Sequence, residues 1–486
     1  MQSLRSSRNW AAVCALALPL AVYVGTAYVN PGFWDMSEMA TVSYLLGIAH
    51  PTGFPLFVVL GWLLSHAIPF GTVAWRVALV AAFGGGAAAF ALWFALDAID
   101  VAPWFATGAA WWFAFGSIVL ERARRPEVHT LELGCEALAL AFAIRFNRRG
   151  GRAWAIAASF AEGGALATHP NAIWALPALL ILLCTRRGLP FARMIGALLL
   201  PLLSYLYIPL RSNYLATHHV DPTLAIGVPP GQPFWNYGDP HTLGRFWWLI
   251  TGQQFPTHHA LLAVFDPREY LGALGQFAST AIADHSVATL LIGVVGFVVL
   301  LRRARVVGIA LASGFFGWCA FAHAYTPIEV DITRFYFSPL WILTLCAACT
   351  WFLLPRIARL PAWATAFVLV AGFASLWFQR DRLEMRSAML AVPYIARAEG
   401  LTGPHDVIVA SWAYATPLGY AKYVDGSMGD RIVVYVEVPR DAALIASLAR
   451  KYRTDLVMEG DAKIPGVRLE MIIGEDDPIY RVLPVR

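Results

Sequence analysis

Charge is scarce in this chain. Only 14% of its 486 residues are charged, against about a quarter in an ordinary soluble protein. Lysine is rarer still, confined to Lys422, Lys451 and Lys463 near the C-terminus. All six cysteines (Cys14, Cys135, Cys184, Cys319, Cys346 and Cys349) fall inside apolar runs, so none is placed to staple an outer loop. Cys346 and Cys349 have CxxC spacing, but within a continuous apolar stretch they read as packing residues. Gly84-Gly85-Gly86 also lies inside an apolar run, which makes it helix-packing glycine and no phosphate loop. The net charge of +5 sits in short arginine-bearing loops and is no nucleic-acid footprint. A soluble enzyme, a disulfide scaffold and a nucleic-acid binder are thereby excluded.

What the chain does contain is apolar. Hydrophobic residues make up 58% and the mean hydropathy is +0.59, in repeated runs bounded by arginines, as in a polytopic membrane protein. The first run, Trp10 to Tyr28, follows Arg5 and Arg8. It passes into Asn30-Pro31-Gly32-Phe33-Trp34 without a small-residue cleavage site, so it reads as a retained anchor. Phe54 to Ile68 is too short and too interrupted to span. Omitting it leaves residues 30–76 as one outer loop. Further spans are expected at 77–96, 104–120, 131–146, 153–168, 171–184, 192–208, 287–301, 306–323, 338–354 and 362–378. Arg148/Arg149/Arg152, Arg186/Arg187, Arg302/Arg303/Arg305 and Arg356/Arg359 then all face the cytoplasm, with Arg5 and Arg8. The expected architecture is α-helical with about eleven spans, N-terminus inside and C-terminus outside. Residues 1–378 form the membrane domain, with a second long outer loop at 209–285. Residues 379–486 change character: alternating runs such as Asp406-Val407-Ile408-Val409-Ala410 and Ile432-Val433-Val434-Tyr435-Val436 predict strands, and 441–452 predicts a helix. That tail is expected to be a small extracytoplasmic α/β domain.

Chemistry is expected on the outer face. Asp35 and Glu38 stand three residues apart directly after the first span, followed by the turn His50-Pro51-Thr52-Gly53-Phe54-Pro55. Asp35 by itself reads equally as a helix N-cap. A cap accounts for one acid but not for two acids with that turn, which favours a functional role. Arg122, Arg124 and Arg125 break the positive-inside pattern beside Glu121, Glu127 and His129. They read either as headgroup contacts and loop salt bridges or as a site for an anionic phosphate. His169, Arg211, Asp239, Asp331 and Arg334 complete the inventory. The doublets His218/His219 and His258/His259 lack ligand partners at metal spacing and read as loop histidines. Acids and arginines facing each other at the headgroup level suit transfer of a sugar from a polyprenyl phosphate. One carboxylate takes the acceptor proton while arginines stabilise the departing lipid phosphate.

These residues carry a family resemblance. Phe33-Trp34-Asp35-Met36-Ser37-Glu38, then residues 46–56 (LGIAHPTGFPL) and Arg76, resemble the opening of a family long catalogued as a domain of unknown function. Its animal member is a transmembrane protein O-mannosyltransferase acting on IPT domains. Similar segments follow at Glu127-Val128-His129, His169, 205–211, 237–243 and 331–339. Thr52 and Phe54 stand where the family more often has Pro and Tyr, and His129 where Tyr is common. The family is similar to the GT-C glycosyltransferases, inverting enzymes that use lipid-phosphate-linked sugars. The resemblance implies Asp35 as general base, with Glu38 second, and a first outer loop whose helices lie along the membrane. It leaves a divalent cation open and requires no other cofactor. It implies a lipid bilayer, a polyprenyl-phosphate sugar and an extracytoplasmic protein or glycan as partners, and no nucleic acid. The donor phosphate is expected among Arg122, Arg124, Arg125, Arg211 and Arg334. His50, Arg76, Glu127, His129, His169, Asp239 and Asp331 are expected around the site. A transporter or flippase of lipid-linked sugars is the alternative; it predicts mid-span charges and repeated halves, and no repeat is seen. A non-catalytic, polymer-binding relative is a third reading, opposed by the retention of both acids and Arg211.

Overall fold

The computed structural model describes residues 2–218, 220–255, 266–325, 332–354, 359–384, 391–457, 463–473 and 479–485. His219, His258, His259, Asp331 and Arg356 lie outside the described residues. The first third of the chain is a run of helices: α1 (Gln2–Thr26), α2 (Asp35–Leu45), α3 (Pro55–Ala67), α4 (Val73–Ala98), α5 (Pro103–Ala114), α6 (Ser117–Arg122), α7 (Val128–Arg149) and α8 (Arg152–Thr168). Local signals set their starts. The Thr72 hydroxyl caps α4 by accepting the Trp75 N–H, the Glu127 carboxylate caps α7, and Pro55 and Pro103 occupy first turns, where a missing N–H costs nothing.

The core of the bundle is built on small residues. Helices α4 and α7 touch at Gly84 and Gly134: a Cβ on Gly84 would lie 2.3 Å from the Thr130 carbonyl oxygen, and one on Gly134 would lie 2.5 Å from that of Gly84. Only glycine permits this approach, and the reading of the triple glycine as packing holds.

Every predicted span falls on helix, but not every helix is fit to span. Among the described residues, six are long and apolar enough to cross a membrane: 6–26, 73–98, 191–217, 305–325, 332–353 and 360–378. The expected span 104–120 is instead two helices, α5 and α6, broken at Phe115-Gly116. The segments at 131–146, 153–168 and 287–301 do form helices. Glu132, Glu136 and Arg145 lower the apolarity of the first, and the other two helices are only 17 residues long. The helix expected to end at Ile208 continues to Thr217, and the described residues of the expected outer loop 209–285 include the helices Leu243–Ile250 and Pro267–Asp284. At 13 residues, α3 is about 20 Å long, too short for a hydrocarbon core of about 30 Å.

Helix α4 links two ends of the bundle. At its C-terminal end Asp97 pairs with Arg8 and with Arg145 (3.2 Å), and Arg149 reaches Asp100 at 2.9 Å. At its N-terminal end Ala74 meets the C-terminal unit, its N–H donating to the Tyr420 hydroxyl at 3.2 Å. That unit is a five-stranded sheet of order β2-β1-β3-β5-β4. Its strands are β1 (Val407–Ala410), β2 (Ile432–Tyr435), β3 (Thr454–Val457), β4 (Val467–Ile473) and β5 (Ile479–Pro484). Parallel β2 and β3 flank β1, and β5 pairs antiparallel with both β3 and β4. The strands expected at 406–410 and 432–436 form as Val407–Ala410 and Ile432–Tyr435, and the helix expected at 441–452 forms as Ala442–Lys451.

Candidate active site

The site gathers where α2, the turn before α3, the start of α7, the 3-10 turn Ile332–Tyr336 and the helix Trp412–Tyr420 meet. Its first loop is held in unusual backbone geometry. Trp34, Leu46 and Phe54 all have positive φ (59°, 48° and 43°), a conformation that costs a non-glycine residue of order 1–3 kcal/mol and persists only when its surroundings enforce it. Those surroundings are visible. The Thr416 hydroxyl donates to the Trp34 carbonyl at 2.8 Å, and Ala391 N–H donates to the Pro31 carbonyl at 3.2 Å. The Arg211 guanidinium donates to the Leu45 and Leu46 carbonyls at 2.9 and 3.0 Å.

Asp35 begins α2, yet its carboxylate does not cap that helix. Oδ1 accepts the Trp412 indole N–H at 3.0 Å, and Oδ2 faces Arg334 Nη1 at 3.3 Å. The side chain remains 37% exposed, so a reactant has access to it. One turn on, Glu38 is fully buried and committed to His50, accepting its backbone N–H at 2.8 Å and meeting ring Nδ1 at 2.6 Å. The electrostatics separate the two acids. Burial pushes the Asp35 carboxyl up, but His50, Arg334 and the Trp412 hydrogen bond outweigh it and hold the group below the usual aspartate range. For Glu38 burial prevails over His50, and its carboxyl is raised. Burial alone would depress His50, yet the Glu38 and Asp35 charges raise it above the ordinary histidine value. The carboxylate that stays both ionised and open is Asp35.

Behind this pair, Arg122 Nη1 meets Glu127 at 2.9 Å and Arg125 Nη2 meets the same oxygen at 3.5 Å. Arg122 also donates to the Thr333 hydroxyl at 3.5 Å, next to Arg334. Burial pushes the Glu127 carboxyl up, but Arg122, Arg125 and Arg334 prevail and hold it at about 2. The contribution of Glu127 to stability is therefore complete above the ordinary glutamate value and is lost as pH falls toward about 2. Glu127→Gln strips a buried arginine of its counter-charge and is expected to destabilise the fold by about 3 kcal/mol. A clear fall in melting temperature in detergent at pH 7 is the check. A melting point unchanged at both pH 7 and pH 4 contradicts it.

Several expected site residues serve the scaffold. Arg124 is fully buried and donates to the Thr26, Arg382 and Leu383 carbonyls, tying the end of α1 to the start of the C-terminal region. Arg211 closes α2 as described, and Arg76 donates to the Ser65, Ile68 and Thr72 carbonyls, tying the end of α3 to the start of α4. Asp239 pairs with Arg245 at 2.6 Å, His241 at 3.0 Å and Ser212 at 3.1 Å, within the long second loop. These donors are engaged with protein groups, and none of them contacts Asp35 or Glu38.

His129 and His169 do join the site. Their rings lie 4.7 Å apart; His169 stacks on Phe54, whose ring edge meets His50. Among the described residues, two groups have ligating atoms within 4.8 Å of one another: Asp35/Glu38/His50 and His129/Glu132/His169. In the first, the two carboxylates already face the cations His50 and Arg334, so charge balance does not demand a metal. In the second, His169 Nδ1 accepts the Asn171 N–H at 3.1 Å. Neutral His169 therefore carries its proton on Nε2, which leaves that nitrogen a donor without a lone pair for a metal. Neither donor set calls for a resident cation.

Two features escaped the sequence analysis. Glu132 and Glu136 line a small cavity with His129, Trp318, Arg334 and Ser338; their helical spacing below Glu127 was the available signal. Trp412 was missed because it lies 377 positions from Asp35. Its signal was its place just after a predicted strand, where α/β sheets present functional residues.

Known proteins resemble this chain in sequence and in fold. The family described as "Protein O-mannosyl-transferase TMEM260 N-terminal domain" matches residues 35–190. Protein O-mannosyl-transferase TMEM260 of Mus musculus is 32% identical over 137 residues, 28% of this chain and 18% of that protein. The Dictyostelium discoideum protein of the same name is 26% identical over 129 residues, 26% of this chain and 16% of that protein. The chain thus spans less than a fifth of the length of these curated relatives. In structure, ArnT from Cupriavidus metallidurans, crystallised bound to undecaprenyl phosphate, superposes with a TM-score of 0.56 at 12% identity, covering 97% of each chain. The chain therefore has the GT-C fold, and its residues 35–190 are similar to the protein O-mannosyl-transferase TMEM260 N-terminal domain.

Proposed function

We propose that this chain is an integral-membrane glycosyltransferase. It moves a mannose-like sugar from a polyprenyl-phosphate donor to an extracytoplasmic hydroxyl, of which protein Ser or Thr is the leading class. The observation that carries the reading is Asp35: an ionised, partly open carboxylate held between Arg334 and Trp412. Asp35 accepts the proton of the acceptor hydroxyl as its oxygen bonds to the anomeric carbon. The bond from that carbon to the phosphate oxygen breaks, and its electron pair leaves with the polyprenyl phosphate. Arg334, with Arg122 behind it, offsets the charge that develops there. A weak base suffices, because glycosyl transfer passes through an oxocarbenium-like state in which the acceptor proton is lost late. The undecaprenyl phosphate bound to ArnT supports a lipid donor of this kind. The name of the TMEM260 relatives supports mannose and a protein acceptor.

The test uses the full chain in nanodiscs with polyprenyl-phosphate [14C]mannose and a pool of Ser/Thr peptides. Label is expected on peptide hydroxyls, and excess EDTA is expected to leave the rate unchanged, because His50 and Arg334 already balance the two acids. Label that stays on the lipid while crossing between leaflets of proteoliposomes would identify a translocator instead.

A further inference from the structure

The C-terminal unit reaches into the proposed active site through one side chain. We infer that Trp412 is a positioning residue for the general base: its indole N–H fixes the Asp35 carboxylate, so the C-terminal unit completes the catalytic centre. The inference rests on Asp35 acting as the base.

The fold dictates where Trp412 stands. Strand β1 lies between parallel β2 and β3. Its chain continues through Ser411 into the helix Trp412–Tyr420, so Trp412 emerges at the carboxyl end of the sheet's central parallel strand. That edge is where open α/β sheets form their binding crevices. Here the crevice faces α2 of the helical domain. The ring is locked from several sides: Tyr435, at the end of β2, packs edge-on with its centroid 4.9 Å away. His50 lies at 5.5 Å, Tyr237 at 5.9 Å and Phe234 at 6.3 Å, all edge-to-face. Four neighbours from three parts of the chain leave the indole one orientation, and in it Nε1 points at Asp35 Oδ1. Thr416, one turn along the same helix, holds the Trp34 carbonyl. Tyr394 and Tyr414 pack on Phe33 at 5.8 Å. The C-terminal unit thus clamps the backbone at 33–34 and the carboxylate at 35 together.

The consequence is directional. With Oδ1 held by the indole and Oδ2 by Arg334, the carboxylate plane is fixed and its remaining lone pairs face the open side. A hydrogen bond to an ionised group is stronger than a neutral one and favours the ionised form. The charged or titratable groups facing Asp35 are Glu38 and His50 from the first loop, Arg334 from the 332–336 turn, and Glu127 before α7. None of them replaces a donor on Oδ1.

The decisive variant keeps the shape and removes the N–H. Site-specific incorporation of β-(3-benzothienyl)alanine at position 412 of the full chain puts sulfur where the indole has N–H; Trp412→Phe is the simpler companion. Both are assayed in nanodiscs with polyprenyl-phosphate [14C]mannose and the Ser/Thr peptide pool, beside Asp35→Asn. The isostere is expected to melt like the parent, to lose about tenfold in rate at neutral pH, and to shift the acidic limb of its pH–rate profile upward. An isostere with the parent's rate and profile, beside an inactive Asp35→Asn, overturns the inference and leaves the assignment of the base intact. Full activity in Asp35→Asn overturns that assignment itself.

Discussion

Asp35→Asn is expected to reduce sugar transfer by about a thousandfold while leaving the fold intact. Positioned general bases contribute roughly 10²–10⁴-fold, and the amide keeps the carboxylate's shape while losing its basicity. The amide oxygen of the variant can still accept the Trp412 N–H, so packing around α2 has no reason to change. Equal melting temperatures for the two proteins separate a chemical effect from a structural one. Glu38→Gln is predicted to behave differently, because Glu38 is closed off by His50 and has no open face. Its loss acts through the His50 turn and falls on stability and donor affinity together. If Glu38→Gln abolishes the chemical step and Asp35→Asn spares it, the roles are reversed.

The same geometry sets the pH response. Asp35 lies below the usual aspartate range, so the rate gains no acidic limb from it near neutral pH. His50 is raised above its ordinary value by the Glu38 and Asp35 charges, so its imidazolium persists to higher pH than that of a free histidine. As pH rises through the raised value the imidazolium is lost, and activity is expected to decline on the alkaline side.

Arg334→Gln is the second large effect, an expected loss of about 10²–10³-fold in turnover. Arg334 stands 3.3 Å from Asp35, with Arg122 reaching the neighbouring Thr333. A departing phosphate carries full negative charge, and the guanidinium stands beside the base to meet it. Arg334→Lys retains the charge without the planar fork and is expected to recover part of the rate. Losing Arg334 also removes one of the charges that lower Asp35, so the acidic limb of the glutamine variant moves upward. Single-turnover kinetics on both variants distinguish this from weaker lipid binding. A raised KM at unchanged turnover assigns Arg334 to docking alone.

Much of this is legible in the amino-acid sequence. Apolar runs with Arg148, Arg186 and Arg302 at alternate ends imply a helical bundle, and the brevity of Phe54–Ile68 argued against a span there. Asp35, Glu38 and His50 are close in sequence and bound by one turn, so their meeting was readable. Glu127 and Arg122 are likewise local. What was not readable is long-range. Arg124 and Arg211 look like phosphate ligands because an arginine by the membrane surface advertises its charge. Only the fold shows their donors turned onto carbonyls left over at helix ends. Helix boundaries were harder to read for a related reason: the break at Gly116 and the continuation past Pro209 depend on neighbours that hydropathy does not see. Trp412 needed both the sheet's strand order and its docking on α2.

The central claim is that the sugar arrives on a lipid phosphate and leaves from beside Asp35 and Arg334. Its most direct test is a donor comparison with purified full-length chain in nanodiscs, offering equal amounts of polyprenyl-phosphate [14C]mannose and GDP-[14C]mannose. Transfer to peptide from the lipid donor alone, competitively inhibited by free undecaprenyl phosphate, is the predicted result. Transfer from the nucleotide sugar, or a rate indifferent to undecaprenyl phosphate, contradicts it.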